Sequence, residues 1–344
     1  MPTLRPRRFA PQHSSSAASA PPSAIVRWSG PTDAGAIVLA AATERARQYH
    51  GQSKSKNTLR AYAADWRHFE AWCVEVGRPA LPSDPETVAL YISDLAATSR
   101  VSTIQRRLTT INKAHETESF VSPARHPLVK DVLDGIKREL GVFQRGKTPL
   151  LLPDIRRMID TCEDTITGVR DRAILLLGFS GAFRRSELAA LAISDLTVGG
   201  EGLVVFLARS KTDQEGQGVK KAIPYGQHAA TCPVRAIDAW IDVLGEASGP
   251  VFRRVYATGR IGTQALSDRT VALIVKKAAC AAGLDPRPYA GHSLRSGFAT
   301  QAAISGVSER AILKQGNWAS ERMARRYIRD ANLFRDNAAG QIGL

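Results

Sequence analysis

Residues 57–77 read NTLRAYAADWRHFEAWCVEVG. Leu59, Tyr62, Trp66, Phe69 and Cys73 recur at steps of three and four, the spacing of one apolar helix face, and Gly77 supplies a stop. Three further helical stretches follow: SDPETVALYISDLAA with Ser83 as N-cap, SRVSTIQRRLTTINKAHE, and HPLVKDVLDGIKREL. Four helices with no strand between them predict an all-helical domain over residues 45–140. The aperiodic GVFQRGKTPL, residues 141–150, reads as a linker. A second domain, 151–344, opens with helices near 153–163 and 168–180. Its convincing strands are GLVVFLA and VKKAIPY, near 202–208 and 219–225, joined by the polar turn RSKTDQEGQG. The fold class is therefore mainly α with a small antiparallel β-sheet, and no repeat of 20–50 residues is visible.

Composition bounds the partner. At 344 residues the chain is long enough for two cores. Lys and Arg number 47 against 32 acidic residues, a formal charge of +15, which points to a polyanion and first of all to nucleic acid. A membrane span needs about 20 consecutive apolar residues, and no stretch approaches that. The four cysteines are far apart and form no Cys-x-x-Cys pair, so a zinc site or disulfide framework is not expected and a reducing cytoplasm fits. Residues 1–44 begin with an acid-free, Arg-, Ser- and Pro-rich run; it reads as a disordered basic arm that touches DNA loosely, although an organelle transit segment has a similar composition.

Several residues could carry chemistry. In GHSLRSG, 291–297, His292 and Arg295 stand at i and i+3 on one helix face, a pairing that suits a phosphate and is, in isolation, common on solvated helices. In SGAFRRSELAAL, 180–191, a glycine-bounded break precedes a new helix and Arg184 stands in its first turn, where the macrodipole disfavours a cation unless it has an anionic partner. Glu187 could hold its guanidinium, though such a pair is also an ordinary surface ion pair. Lys211 lies in the turn between the strands, where it could swing into a site and protonate a leaving oxygen, or simply be solvated. In GNWASERMARRYIRD, Trp318 and Tyr327 are nine residues apart, so one unbroken helix would not place them on one face; a break at Ala319 and Ser320 would. Arg322, Arg325, Arg326 and Arg329 surround Tyr327, and positive charge lowers a phenol's pKa. Together these residues supply the clamps, the acid and the nucleophile that phosphoryl transfer needs, without an acidic cluster for Mg²⁺ or a P-loop.

The order Arg184, Lys211, His292, Arg295, Trp318, Tyr327 resembles the tyrosine recombinase (phage integrase) family over residues 45–335, and the tryptophan brings it nearest to the Cre-like members. WRHFEAWC and STIQRRL also look Cre-like. The resemblance implies a helical core-binding domain and a mixed α/β catalytic domain that form a C-shaped clamp on DNA. It implies that Tyr327 attacks a phosphodiester to give a 3′-phosphotyrosine, that Arg184 and Arg295 bind the non-bridging oxygens, that Lys211 protonates the leaving 5′-oxygen and that His292 exchanges a proton with the nucleophile. Trp318 would pack against the site and donate its indole N–H, with Glu187 in support. No metal, ATP or other cofactor is implied. Where many members carry a second histidine this chain has Ser296, a difference expected to touch support of the site more than the chemistry.

On the same pattern Asn57, Thr58, Arg60, Gln105, Arg106 and Arg269 face DNA, and Leu333 and Phe334 anchor a C-terminal helix exchanged between subunits. The partners implied are double-stranded DNA with an inverted-repeat site, a homotetramer on two duplexes joined through a Holliday junction, and accessory DNA-bending proteins, in a bacterial, nucleoid-associated setting. Two readings stand beside recombination: a type IB topoisomerase-like or telomere-resolving enzyme, and an architectural or regulatory DNA-binding protein of the same fold without cleavage.

Overall fold

The computed structural model describes residues 33–52, 54–143, 146–208, 217–318, 321–331 and 342. The chain forms two units, 1–143 and 144–344. Lys211, Leu333 and Phe334 lie outside the described residues, as do Ala319 and Ser320 and the first 32 residues of the basic arm.

Among its described residues the first unit holds five α-helices: α1 (Asp33–Gln52), α2 (Lys56–Glu75), α3 (Pro85–Ala96), α4 (Val101–Thr117) and α5 (Pro127–Leu140). Helix α1 begins inside the segment read as an arm. Its Ile37, Val38 and Leu39 are exposed. The periodic residues of α2 behave unequally: Phe69 and Cys73 are fully buried with Val88, Tyr91, Ile92, Ile104 and Ile111, whereas Leu59 is 44% exposed. The N-cap of α3 is Asp84 and not Ser83. Its carboxylate accepts from the Thr87 backbone N–H at 2.7 Å and the Thr87 hydroxyl at 2.9 Å, a shorter and charge-assisted cap than a serine hydroxyl offers.

The second unit opens with α6 (Leu152–Asp160), α7 (Ile166–Ser180) and the short α8 (Arg185–Ala190). A three-stranded antiparallel sheet follows, in order β1 (Leu196–Gly199), β2 (Gly202–Leu207) and β3 (Val219–Pro224). The sequence reading found β2 and β3 but missed β1, whose residues are mostly exposed and show no alternation. After α9 (Pro233–Leu244), a two-stranded ribbon of β4 (Arg253–Val255) and β5 (Ile261–Ala265) was also missed, being short and bulged. The chain then runs through α10 (Asp268–Ala281), α11 (Gly291–Ile304), α12 (Glu309–Gly316) and α13 (Glu321–Ala331). All four cysteines are free.

The sheet buries one face. Leu203, Val205 and Leu207 of β2 point into the core with Ile223 of β3, and so does Lys221, which pairs with Val205. Helix α11 crosses this unit at close range because its small residues permit it. A Cβ on Gly297 would stand 1.9 Å from the Leu150 carbonyl oxygen, and one on Gly291 would stand 2.8 Å from the Arg185 Cβ. The small residues around His292 and Arg295 are thus what lets their helix sit against its neighbours.

Candidate active site

Four parts of the second unit converge: the end of α7 with the turn after it, the start of α11, the end of α12 together with α13, and strand β3. Helix α7 ends at Ser180, and Ala182 then takes a left-handed backbone, φ 47°, to turn the chain into α8. Arg184 is the N-cap of α8 and not a residue of its first turn. Its own backbone N–H donates to the Glu187 carboxylate at 2.8 Å, and its guanidinium donates to the other oxygen of the same group. Glu187 is only 4% exposed at its side chain, so this pair is buried and fixed, unlike the surface ion pair it resembled in sequence.

Arg295, on the first turns of α11, is 1% exposed. It donates to the Ala182 carbonyl at 2.6 Å, and its guanidinium lies 4.2 Å from the ring centroid of Trp318. Its Nη2 is buried with no hydrogen-bond partner among the described residues. An orphaned buried donor is costly and calls for an acceptor. Burial, then Arg184, pulls the Arg295 pKa down to about 10, against support from Glu187; the group stays charged at neutral pH.

One turn earlier, His292 Nε2 lies 2.9 Å from the Tyr327 hydroxyl. Burial, followed by the charges of Arg295, Arg184 and Arg185, holds the imidazole below its ordinary value of 6.5. It is therefore neutral at physiological pH and able to accept the phenolic proton. Arg185 was not singled out in the sequence; it is salt-bridged to Asp268 at 3.1 Å and helps to keep His292 neutral. Ser296 is fully buried, and its hydroxyl donates back to the His292 carbonyl at 3.1 Å, so it supports its own helix.

The helical run around Trp318 breaks where Asn317 takes a left-handed backbone and caps α12. Gly316 makes room for the indole, since a Cβ there would meet the Trp318 ring at 1.7 Å. Helix α13 packs with Tyr327, Ile328 and Ala331 on Ala299, Ala302, Ala303 and Ile312, a small-residue surface that brings the phenol to α11 within the same chain. Arg325, one of the arginines expected to crowd Tyr327, is instead taken up by Glu309 at 2.6 Å and Glu321 at 2.8 Å.

The structure thus brings together Arg184, Glu187, His292, Arg295, Trp318 and Tyr327. Sequence reasoning missed Lys221, which is 3% exposed and contacts this cluster through the Gly181 carbonyl.

Residues 150–333 match the model of the phage integrase family. The chain belongs to that family. This tyrosine recombinase is 43% identical over 295 residues to the integrase/recombinase xerD homolog of Selenomonas ruminantium, covering 85% of this chain and 86% of that protein. To the recombinase cre of Escherichia phage P1 it is 27% identical over 303 residues, 81% and 85% of the two chains. Among solved structures it resembles the Tn1549 transposon integrase in complex with transposon right end DNA, at TM-score 0.57 and 16% identity over 85% of this chain and 97% of the other. A lambda integrase dimer on a core site matches at TM-score 0.55 and 16% identity, over 83% and 93%. The recombinase cleaves and rejoins DNA, as its family does, and its mostly helical fold with small antiparallel sheets is the integrase fold.

The expected DNA-facing residues are distributed as follows. Asn57, Arg60, Gln105 and Arg269 are exposed and Thr58 is half-buried, its backbone N–H serving the Ser55 cap. Arg106 spends its guanidinium on a bidentate pair with the buried Asp65, both contacts at 2.8 Å, which ties α4 to α2. No described helix is long and apolar enough to cross a membrane.

Proposed function

We propose that Tyr327 is the nucleophile of a site-specific recombination in which His292 accepts its proton. The observation that carries this reading is the 2.9 Å approach of a neutral His292 Nε2 to the Tyr327 hydroxyl, beside a guanidinium whose Nη2 is buried and unpartnered among the described residues. The phenolic oxygen bonds to the scissile phosphorus, the bond to the 5′-oxygen breaks, and the proton of the phenol passes to His292. Lys211 protonates the leaving 5′-oxygen. Arg184 and Arg295 stabilise charge on the non-bridging oxygens, Trp318 fixes Arg295 by stacking and offers its indole N–H to the phosphate, and Glu187 fixes Arg184. The phosphotyrosine retains the energy of the phosphodiester, so rejoining is the same step reversed with a new 5′-hydroxyl.

In this reading the two domains, 45–140 and 151–344, each contact an inverted-repeat site, with 141–150 as the linker. Asn57, Thr58, Arg60, Gln105, Arg106 and Arg269 contact the duplex. A C-terminal segment with Leu333 and Phe334 passes to a neighbour, giving a tetramer on two duplexes that exchanges strands through a Holliday junction, aided by DNA-bending proteins. The enzyme acts in the bacterial cytoplasm, at the nucleoid.

The deciding experiment is covalent trapping. Without metal or nucleotide, wild type and Tyr327→Phe are incubated with nicked suicide duplexes that carry inverted repeats from the gene's own neighbourhood. An adduct with wild type alone supports the reading. Specific, tight binding with no adduct would favour a non-cleaving architectural protein, and relaxation of supercoils without exchange between two sites would favour a topoisomerase.

A further inference from the structure

The cluster contains two polar side chains that the mechanism leaves unused, and both act on the turn that delivers Arg184. The last carbonyls of a helix have no partner within it. At the end of α7 and in the turn just past it, three successive carbonyls, those of Ser180, Gly181 and Ala182, are each met by a side chain from a different element. Gln315 of α12 donates to the Ser180 carbonyl at 3.1 Å, Lys221 of β3 donates to that of Gly181 at 2.6 Å, and Arg295 of α11 donates to that of Ala182 at 2.6 Å. The Gln315 amide donates also to the Ala222 carbonyl at 3.2 Å, next to Lys221 in β3. One side chain therefore joins three things: the turn before Arg184, the strand that returns from the hairpin bearing Lys211, and the helix that leads into Trp318.

Lys221 is the unexpected member. It occupies a core-facing register position among Leu203, Val205 and Ile223, where an apolar residue would fill the space without a desolvation cost. Its ammonium instead lies 4.7 Å from the Phe183 ring centroid and donates to the negative end of α7. The groups that face it are Glu187 from α8, Arg184 at the N-cap of that helix and Arg295 from α11. Being 3% exposed and committed to a carbonyl, it acts through Arg184 and does not present itself to DNA. The turn it holds contains Ala182 in a left-handed conformation, a strained geometry that persists only where its surroundings over-determine it.

We propose, on the basis of the recombinase reading above, that Lys221 and Gln315 are positioning residues: they hold the Ser180 and Gly181 carbonyls so that Arg184 is set beside Arg295, and Gln315 couples this clamp to β3 and to the helix preceding Trp318.

The test separates binding from cleavage. DNA affinity and single-turnover adduct formation on a nicked suicide duplex are measured for wild type, Lys221→Met, Lys221→Arg and Gln315→Met, with thermal unfolding of each. The expected result is affinity within about twofold of wild type, adduct formation at least about tenfold slower in both Met variants, and most of the rate restored in Lys221→Arg. A merely structural residue would lower rate only in proportion to the folded fraction. That result, or Met variants that cleave within about twofold of wild type, overturns the proposal. Should Lys221→Met fail to fold, Gln315→Met, whose residue is partly exposed, decides by the same criteria. Failure of the wild type to form an adduct on a site that it binds specifically would sink the cleavage reading and the proposal with it, whereas a cleaving wild type with unaffected variants sinks the proposal alone.

Discussion

His292 and Lys221 are both held away from their usual protonation behaviour by burial and by the arginines around them, with opposite consequences for experiment. His292 serves as a base only when neutral, and its pKa lies below 6.5. The loss of single-turnover cleavage as pH falls should therefore have its midpoint below 6.5. A midpoint above pH 7 would remove His292 from that role. His292→Ala should slow adduct formation by about 10²–10⁴, the usual worth of a general base. Lys221 concerns stability. Its pKa is lowered from 10.5 to about 7, chiefly by burial, so the folded state disfavours the charged form. The cost is full below pH 7 and is relieved as pH rises from 7 towards 10.5, because there the unfolded chain binds the extra proton. Between pH 7 and 9 the unfolding free energy of wild type should gain about 2 kcal/mol relative to Lys221→Met, measured by urea denaturation at each pH. An unchanged difference would mean that the ammonium is solvated.

Among the elements, α11 and the end of α12 have packing that depends on single atoms. Gly297→Ala places a methyl 1.9 Å from the Leu150 carbonyl oxygen, a backbone atom that cannot step aside. It should lower stability by about 1–3 kcal/mol and slow cleavage, since His292 and Arg295 ride on the displaced helix. Gly316→Ala should act differently, because the obstacle is the Trp318 ring, which can move. Stability should change little, while displacement of Trp318 from Arg295 lowers the cleavage rate and alters tryptophan fluorescence. Helices α2 to α7 were legible from apolar spacing, as in α2, where Phe69 and Cys73 are core residues, whereas α1 was not, since most of it lies in the segment read as an arm. The short strands were not, because three to five residues with one exposed face leave no alternation to read. Strand β3 did carry a readable signal: Ile223 and Lys221 are two apart, so strand alternation places that lysine on the core face.

For the molecule as a whole, a formal charge of +15 on 344 residues makes DNA affinity steeply salt-dependent. Raising salt from 50 to 200 mM should weaken binding by about 10³ or more, and Arg106→Ala should reduce affinity less than Arg60→Ala, because Arg106 is already paired with Asp65. An equal loss in both would show that the Asp65 pair opens on DNA. The sequence by itself determined the helical content, the basic charge and the set of six residues that chain order and residue type made recognisable together. Only the tertiary structure decided how the described ones meet: that the Glu187 pair is buried, that His292 reaches Tyr327 at 2.9 Å, and that Lys221 and Gln315 contact the turn before Arg184. The physical reason is that these depend on contacts between residues up to 135 positions apart, such as Gln315 with Ser180, and such contacts leave no periodicity within any one segment.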